Sequence, residues 1–246
     1  MKKNGLMGEF IGEVFGTFIL ILLGDGVVAN FATAPRLPAS GYDWNTITLG
    51  WAFAVVIAVY VTAGVSGAHI NPAVTVALAV KRGFSWGKVI PYIAAQMIGA
   101  FLGALGVFLC YQGALEAAGM PNVWCTGPGA NISLLTAFIC EILGTAVLLW
   151  GVLASGDTKN LAPGANWGGL LVGFTVLAVG LCLGGPSGYA INPARDLGPR
   201  IFGVLVGTTG LFSDLYWLVA PVIGPIIGGI VGVFTYDFFV TPYLPD

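Results

Sequence analysis

The sequence predicts an all-α membrane protein of six transmembrane helices plus two re-entrant half-helices, in two inverted repeats within one transmembrane domain over residues 1–246. Three observations carry that expectation. The chain is 57% hydrophobic and only 8% charged, far below the ~25% charged residues with which a soluble domain meets water. Six apolar runs reach the roughly 20 residues needed to cross about 30 Å of hydrocarbon. The frame G-x-S-G-x-x-I-N-P-A occurs twice, beginning at Gly64 and at Gly185, an offset of 121.

The first span is expected over about 8–31. The N-terminal MKKNGLMGEF has the basic start of a signal peptide. No small-residue cleavage site ends the run, however, and Glu9 and Glu13 interrupt it, so it is read as retained. The second span covers about 46–65 and leads into the first Asn-Pro-Ala box, Asn71-Pro72-Ala73. Asn is a favoured N-cap and Pro suits the first helical position, where its missing N–H costs nothing. The apolar stretch that follows, about 71–80, is too short to span. Ten residues at ~1.5 Å rise reach only half way across a membrane, and such a half-helix is tolerated only when buried in protein or lining a wet cavity.

The third and fourth spans are expected over about 87–112 and 135–155. Between them, Asn131-Ile132-Ser133 fits a glycosylation acceptor and equally a helix N-cap ahead of Leu134. The fifth span, about 166–184, precedes the second box, Asn192-Pro193-Ala194, and a second half-helix over about 192–206. The sixth span, about 214–238, closes the series, and residues 242–246 are read as an end without a tail.

The repeats cover about 8–112 and 135–238. Glu13-x-x-Gly16-Thr17 returns as Glu141-x-x-Gly144-Thr145, and Gly99-x-x-x-Gly103 as Gly228-x-x-x-Gly232. Three spans per half is an odd number, so the second half enters upside down, and the two half-helices meet near the bilayer midplane. The small-residue ladders Gly8/Gly12/Gly16, Gly99/Gly103 and Gly224/Gly228/Gly232 let backbones approach closely. Lys2, Lys3, Lys81, Arg82, Lys88 and Lys159 fall on one side and only Arg36 on the other, which places both termini in the cytoplasm.

A net charge of −2 without a basic tract speaks against a nucleic-acid partner. The four cysteines have no CxxC spacing, which argues against a metal cluster or redox pair, and Cys110, Cys140 and Cys182 in apolar runs read as buried inert thiols. With one His, no Walker loop, no HExxH and no nucleophile elbow, neither an enzyme nor a cofactor is expected.

What the boxes can do follows from their helix ends. Each half-helix N-terminus carries about half a positive charge and unpaired N–H donors. Asn71 and Asn192 cap with the side-chain oxygen and turn the amide NH2 toward whatever passes. Two such donors at two positive dipole ends orient a water or hydroxyl and repel protons and cations.

The six spans, the inverted repeat, both boxes and the paired Glu13 and Glu141 together resemble the major intrinsic protein family, the aquaporins and glycerol facilitators, over nearly the whole chain. The resemblance implies a right-handed helix bundle. Asn192-Pro193-Ala194-Arg195-Asp196 looks like the glycerol-facilitator (aquaglyceroporin) branch, since water-selective members usually carry Ser in place of Asp196; Arg200 and Pro221-Val222 match that branch too. The function implied is a passive channel for glycerol and other small uncharged solutes, with water, and urea, dihydroxyacetone and hydrogen peroxide as further candidates. The resemblance also implies a homotetramer in the lipid bilayer with one pore per subunit.

Carried over by spacing, the selectivity collar comprises Trp51, Gly180, Tyr189 and Arg195 on the outer side. Two aromatic faces would take the CH backbone of a polyol while the guanidinium offers fixed donors to its hydroxyls. Gly180 leaves room where water-selective members place His. Tyr189 departs from the commoner Phe and leaves the relative rates open. The stretches before each box, residues 64–70 and 185–191, would supply backbone carbonyl acceptors.

The remaining polar residues read as supports. Glu13 and Glu141 are expected to accept hydrogen bonds from the re-entrant loops. Asp196, in the first turn of its helix, where an anion is favoured, should brace that loop against Arg200. His69 is expected to hydrogen-bond loop backbone, and Asp25 to lie at the outer interface. Three rivals stay open: a water-selective channel, a proton-coupled carrier using Glu13 or Glu141, and a structural membrane protein. Short termini without a targeting segment favour a bacterial plasma membrane.

Overall fold

The structure, a computed structural model, describes residues 5–245. Lys2 and Lys3, used above for orientation, lie outside them. Helix α1 (Leu6–Thr33), α2 (Trp44–Ser66) and α4 (Trp86–Ala117) are the spans of the first half, with the ten-residue α3 (Pro72–Lys81) between the last two. The second half repeats the order with α5 (Leu134–Gly156), α6 (Gly168–Ser187), the short α7 (Pro193–Leu205), and a last span over Tyr216–Tyr243. That span starts as one turn, α8 (Tyr216–Leu218), widens into a π-helical segment at Val219–Ile223 around Pro221, and continues as α9 (Gly224–Phe239). Among the described residues, six helices are thus long and apolar enough to cross a membrane. Their bounds lie within a few residues of expectation, α4 extending furthest beyond it.

Caps fix where the elements begin. Asp43 accepts from Thr46 N and closes a capping box on α2. Ser133 accepts from Thr136 N, which settles its local role as the N-cap of α5. Asn71 and Asn192 each cap a half-helix whose first residue is Pro.

The bundle is built from two like pairs, α1 on α4 and α5 on α9, and the half-helices interlock them: α3 packs on α9 and α7 on α4. Glycine sets the approach. A Cβ at Gly99 would stand 2.3 Å from the Val14 carbonyl oxygen, and one at Gly228 would stand 2.4 Å from that of Ile142. At both places, helix backbone lies against helix backbone with no room for a methyl group. The pairs Gly99/Gly103 and Gly228/Gly232 read from the sequence therefore lie in contact seams, Gly103 facing the Phe18 carbonyl and Gly232 that of Ala146.

The outer surface is apolar. Ile11, Phe15, Phe53, Leu109 and Phe238 are exposed, as expected of faces that meet lipid. Cys110 and Cys182 also face outward, which corrects the reading of all three apolar-run cysteines as buried; only Cys140 is half-covered. A helical run apolar all round gives no sequence cue to which side packs.

Candidate functional site

The two half-helices end nose to nose. Asn71 Oδ1 accepts from Ala73 N (2.8 Å), and Asn192 Oδ1 accepts from Ala194 N (3.0 Å) and Arg195 N (3.2 Å). Each amide nitrogen crosses to the other half: Asn71 Nδ2 donates to the Ile191 carbonyl and Asn192 Nδ2 to that of Ile70, both at 2.8 Å. This refines the expectation of two free NH2 groups. One hydrogen of each amide ties the boxes together, and the other remains available to a passing acceptor.

The loops before the boxes carry backbone strain at matching places. Ala68 and Ile70, and likewise Tyr189 and Ile191, have φ between 43° and 49°. Left-handed backbone is a genuine outlier for a β-branched residue, and each such residue costs on the order of 1–3 kcal/mol. Buried carboxylates hold the loops there. Glu13 accepts from Ser66 Oγ (2.7 Å), His69 N (2.9 Å), Ile70 N (2.7 Å) and Gln96 Nε2 (2.7 Å). Glu141 accepts from Ser187 Oγ (2.7 Å), Ala190 N (2.8 Å) and Ile191 N (2.7 Å). Both glutamates are fully buried, and every carboxylate oxygen already holds a donor.

A cavity of about 360 Å3 runs past these loops. Its lining combines apolar residues, Leu20, Val55, Leu148, Val172 and Val176 among them, with the residues of the strained loops, 67–71 and 189–192. Trp51, Tyr189 and Arg195 line it too. The Arg195 guanidinium carbon sits 3.8 Å from the Trp51 ring centre, and both side chains are buried. Trp51 is therefore buried inside the bundle, beside the cavity.

Gly180 stands behind this group. A Cβ there would come within 2.9 Å of Tyr189 Cζ and of Thr48 Cγ2, so the space that Gly180 leaves is filled by the Tyr189 ring. Trp44, which sequence reasoning missed, completes the arrangement: its indole N–H donates to the Gly180 carbonyl at 3.0 Å, and its ring meets Tyr189 edge-on at 5.7 Å. Trp44 opens its helix and reads from sequence only as a boundary aromatic, so no local signal separates this role from anchoring.

Asp196 accepts from Thr126 N (2.8 Å), Thr126 Oγ1 (2.6 Å) and Arg200 Nε (2.8 Å), and Arg200 also binds the carbonyls of Leu211 and Thr126. It braces the loop from 118 to 133 as well as its own helix. Two expectations are corrected. Asp25 is fully buried with its Oδ1 3.9 Å from Arg195 Nη1, not at the outer interface. His69 pairs through Nδ1 with the Thr75 hydroxyl (3.1 Å), a side chain and not backbone, and packs on Phe84 and Tyr92.

Lys81 and Arg82 pair with Asp237, and Lys88 with Glu9, gathering these cations at the end of the bundle where α1 begins. Arg36 follows the far end of α1.

The description Major intrinsic protein belongs to a family model that matches residues 1–236. The chain is 47% identical over 241 residues to a probable glycerol uptake facilitator protein of Thermotoga maritima, covering 94% of this chain and 99% of that one. It is 44% identical to glycerol uptake facilitator protein 3 of Lactiplantibacillus plantarum, with coverage of 96% and 99%. Among solved structures, it resembles the aquaglyceroporin from Plasmodium falciparum with a TM-score of 0.89 and 35% identity, over 97% of this chain and 98% of that one.

Proposed function

The chain belongs to the major intrinsic protein family, and from that premise we propose that it is a passive channel through which glycerol and other small uncharged solutes, with water, cross the cell membrane down their gradients. The carrying observation is the mixed apolar and polar lining of the cavity. Its apolar side chains suit the CH edge of a polyol. The strained loop backbone and the free hydrogens of Asn71 and Asn192 serve its hydroxyls. The relatives named as glycerol uptake facilitators support this substrate.

In this reading a solute sheds water at a collar of Trp51, Tyr189 and Arg195, shaped from behind by Gly180 and Trp44. It then passes the Asn71/Asn192 pair in single file. Facing N-terminal helix ends, each with about half a positive charge, repel cations and protons there. Glu13, Glu141 and Asp196 are supports. Their oxygens are committed to loop donors, which disfavours the proton-coupled rival. The chain forms one transmembrane channel domain, its halves about 8–112 and 135–238. The basic end of the bundle, with both termini, faces the cytoplasm, and the subunits form a homotetramer with one pore each.

Uptake of labelled glycerol into proteoliposomes tests the passive mechanism. The internal concentration is expected to rise to the external one and stop, at a rate unchanged by a protonophore across an imposed proton gradient. Accumulation above the external level, abolished by the protonophore, would instead make the protein a coupled carrier.

A further inference from the structure

We propose that Asp25 is the counter-ion of Arg195, a specificity-determining residue that cancels the charge of the collar without occupying its donors, so that small anions do not lodge there. The inference rests on the channel reading and deepens it.

Asp25 is fully buried on α1, and neither of its carboxylate oxygens has a hydrogen-bond partner among the described residues. A buried carboxylate without partners is costly and calls for an explanation. The only ion pair it makes among those residues is with Arg195, at 3.9 Å. The other buried charges nearby are committed elsewhere. Asp196 holds Thr126 and Arg200, Arg200 holds Asp196 and two carbonyls, and Glu13 and Glu141 hold the re-entrant loops. The two pairs therefore balance separately, Asp196 with Arg200 and Asp25 with Arg195.

The distance matters. At 3.9 Å the contact is too long for a hydrogen bond, whereas Coulomb attraction falls only as the inverse of distance and is strong in a buried setting. Asp25 thus neutralises the guanidinium while leaving its N–H groups free for a permeant hydroxyl. A bidentate partner would have taken two of them. The placement follows from the chain: Gly24 has no side chain because the Trp51 ring lies where its Cβ would be, at 2.2 Å. That contact sets α1 against the collar at the level where Asp25 meets Arg195.

The test compares glycerol entry into proteoliposomes in sodium nitrate and in sodium gluconate of equal ionic strength, for wild type, Asp25→Asn and Asp25→Glu. Wild type is expected to conduct equally in both salts. Asp25→Asn, nearly isosteric but neutral, should lose severalfold in rate in nitrate only, and Asp25→Glu should restore insensitivity. A merely structural Asp25 would lower the yield or melting temperature without creating nitrate inhibition. If Asp25→Asn does not fold, Asp25→Ser removes the same charge in less volume. Nitrate inhibition of the wild type, or equal rates in the two salts for a neutral variant, would overturn the assignment. A wild type that passes no glycerol would instead sink the channel reading, and the two failures are thus separable.

Discussion

Glu141→Leu is expected to yield no conducting protein. Its carboxylate takes three donors, Ser187 Oγ, Ala190 N and Ile191 N, in a fully buried place. Leucine has similar bulk and no acceptor, so all three lose their partner at once. Each buried unsatisfied group costs about 1–3 kcal/mol. The total of roughly 3–9 kcal/mol approaches the 5–15 kcal/mol that holds a typical domain together. The loop that these bonds restrain also carries the left-handed Tyr189 and Ile191, so strain is released in the direction of collapse. The variant should elute as aggregate, or melt far below wild type in detergent, and show no glycerol flux above empty liposomes. Glu141→Gln keeps one acceptor oxygen but turns an NH2 toward a backbone N–H, and should fall between the two. A Glu141→Leu protein that melts and conducts like wild type would refute the supporting role.

The largest effect on selectivity is expected from Gly180→Leu. The first carbon of any side chain there would overlap Tyr189 Cζ and Thr48 Cγ2 at 2.9 Å. Thr48 is fully buried and hydrogen-bonded to its own helix. The Tyr189 ring, which borders the cavity, therefore has to yield and moves across the path. Overpacking of this kind costs about 1–3 kcal/mol. If that cost falls on the passage of a wide solute, it slows glycerol by roughly one to two orders of magnitude. Water is narrower, so the glycerol-to-water permeability ratio should fall. Comparison of the two fluxes in the same vesicles reads this directly. An unchanged ratio would show that Gly180 does not shape the collar.

Much of this was legible because it is written twice. The two Asn-Pro-Ala boxes locate both half-helices, and the matched glycine ladders mark the α1–α4 and α5–α9 seams, which backbone-to-backbone contact demands. Glu13 and Glu141 were recognisable because a carboxylate within a span needs donors, and the re-entrant loops have them to offer. The cross-linking of the boxes through Asn71 and Asn192 was not legible. It depends on how close the helix ends come, which no local pattern encodes. Asp25 was missed for a related reason: late in an apolar span, an acid reads equally as the edge of the membrane or as the partner of a buried base. Only the position of Arg195, 170 residues further along the chain, decides between them. Trp44 and Thr126 likewise act on residues distant in sequence.

An open, uncoupled path through this bundle is expected to admit glycerol. Stopped-flow light scattering on proteoliposomes, challenged with glycerol and separately with an impermeant osmolyte, tests it most directly. Such a path gives shrinkage in both, followed in glycerol alone by fast re-swelling with a low activation energy. Shrinkage without re-swelling, at the rate of empty liposomes, would contradict it.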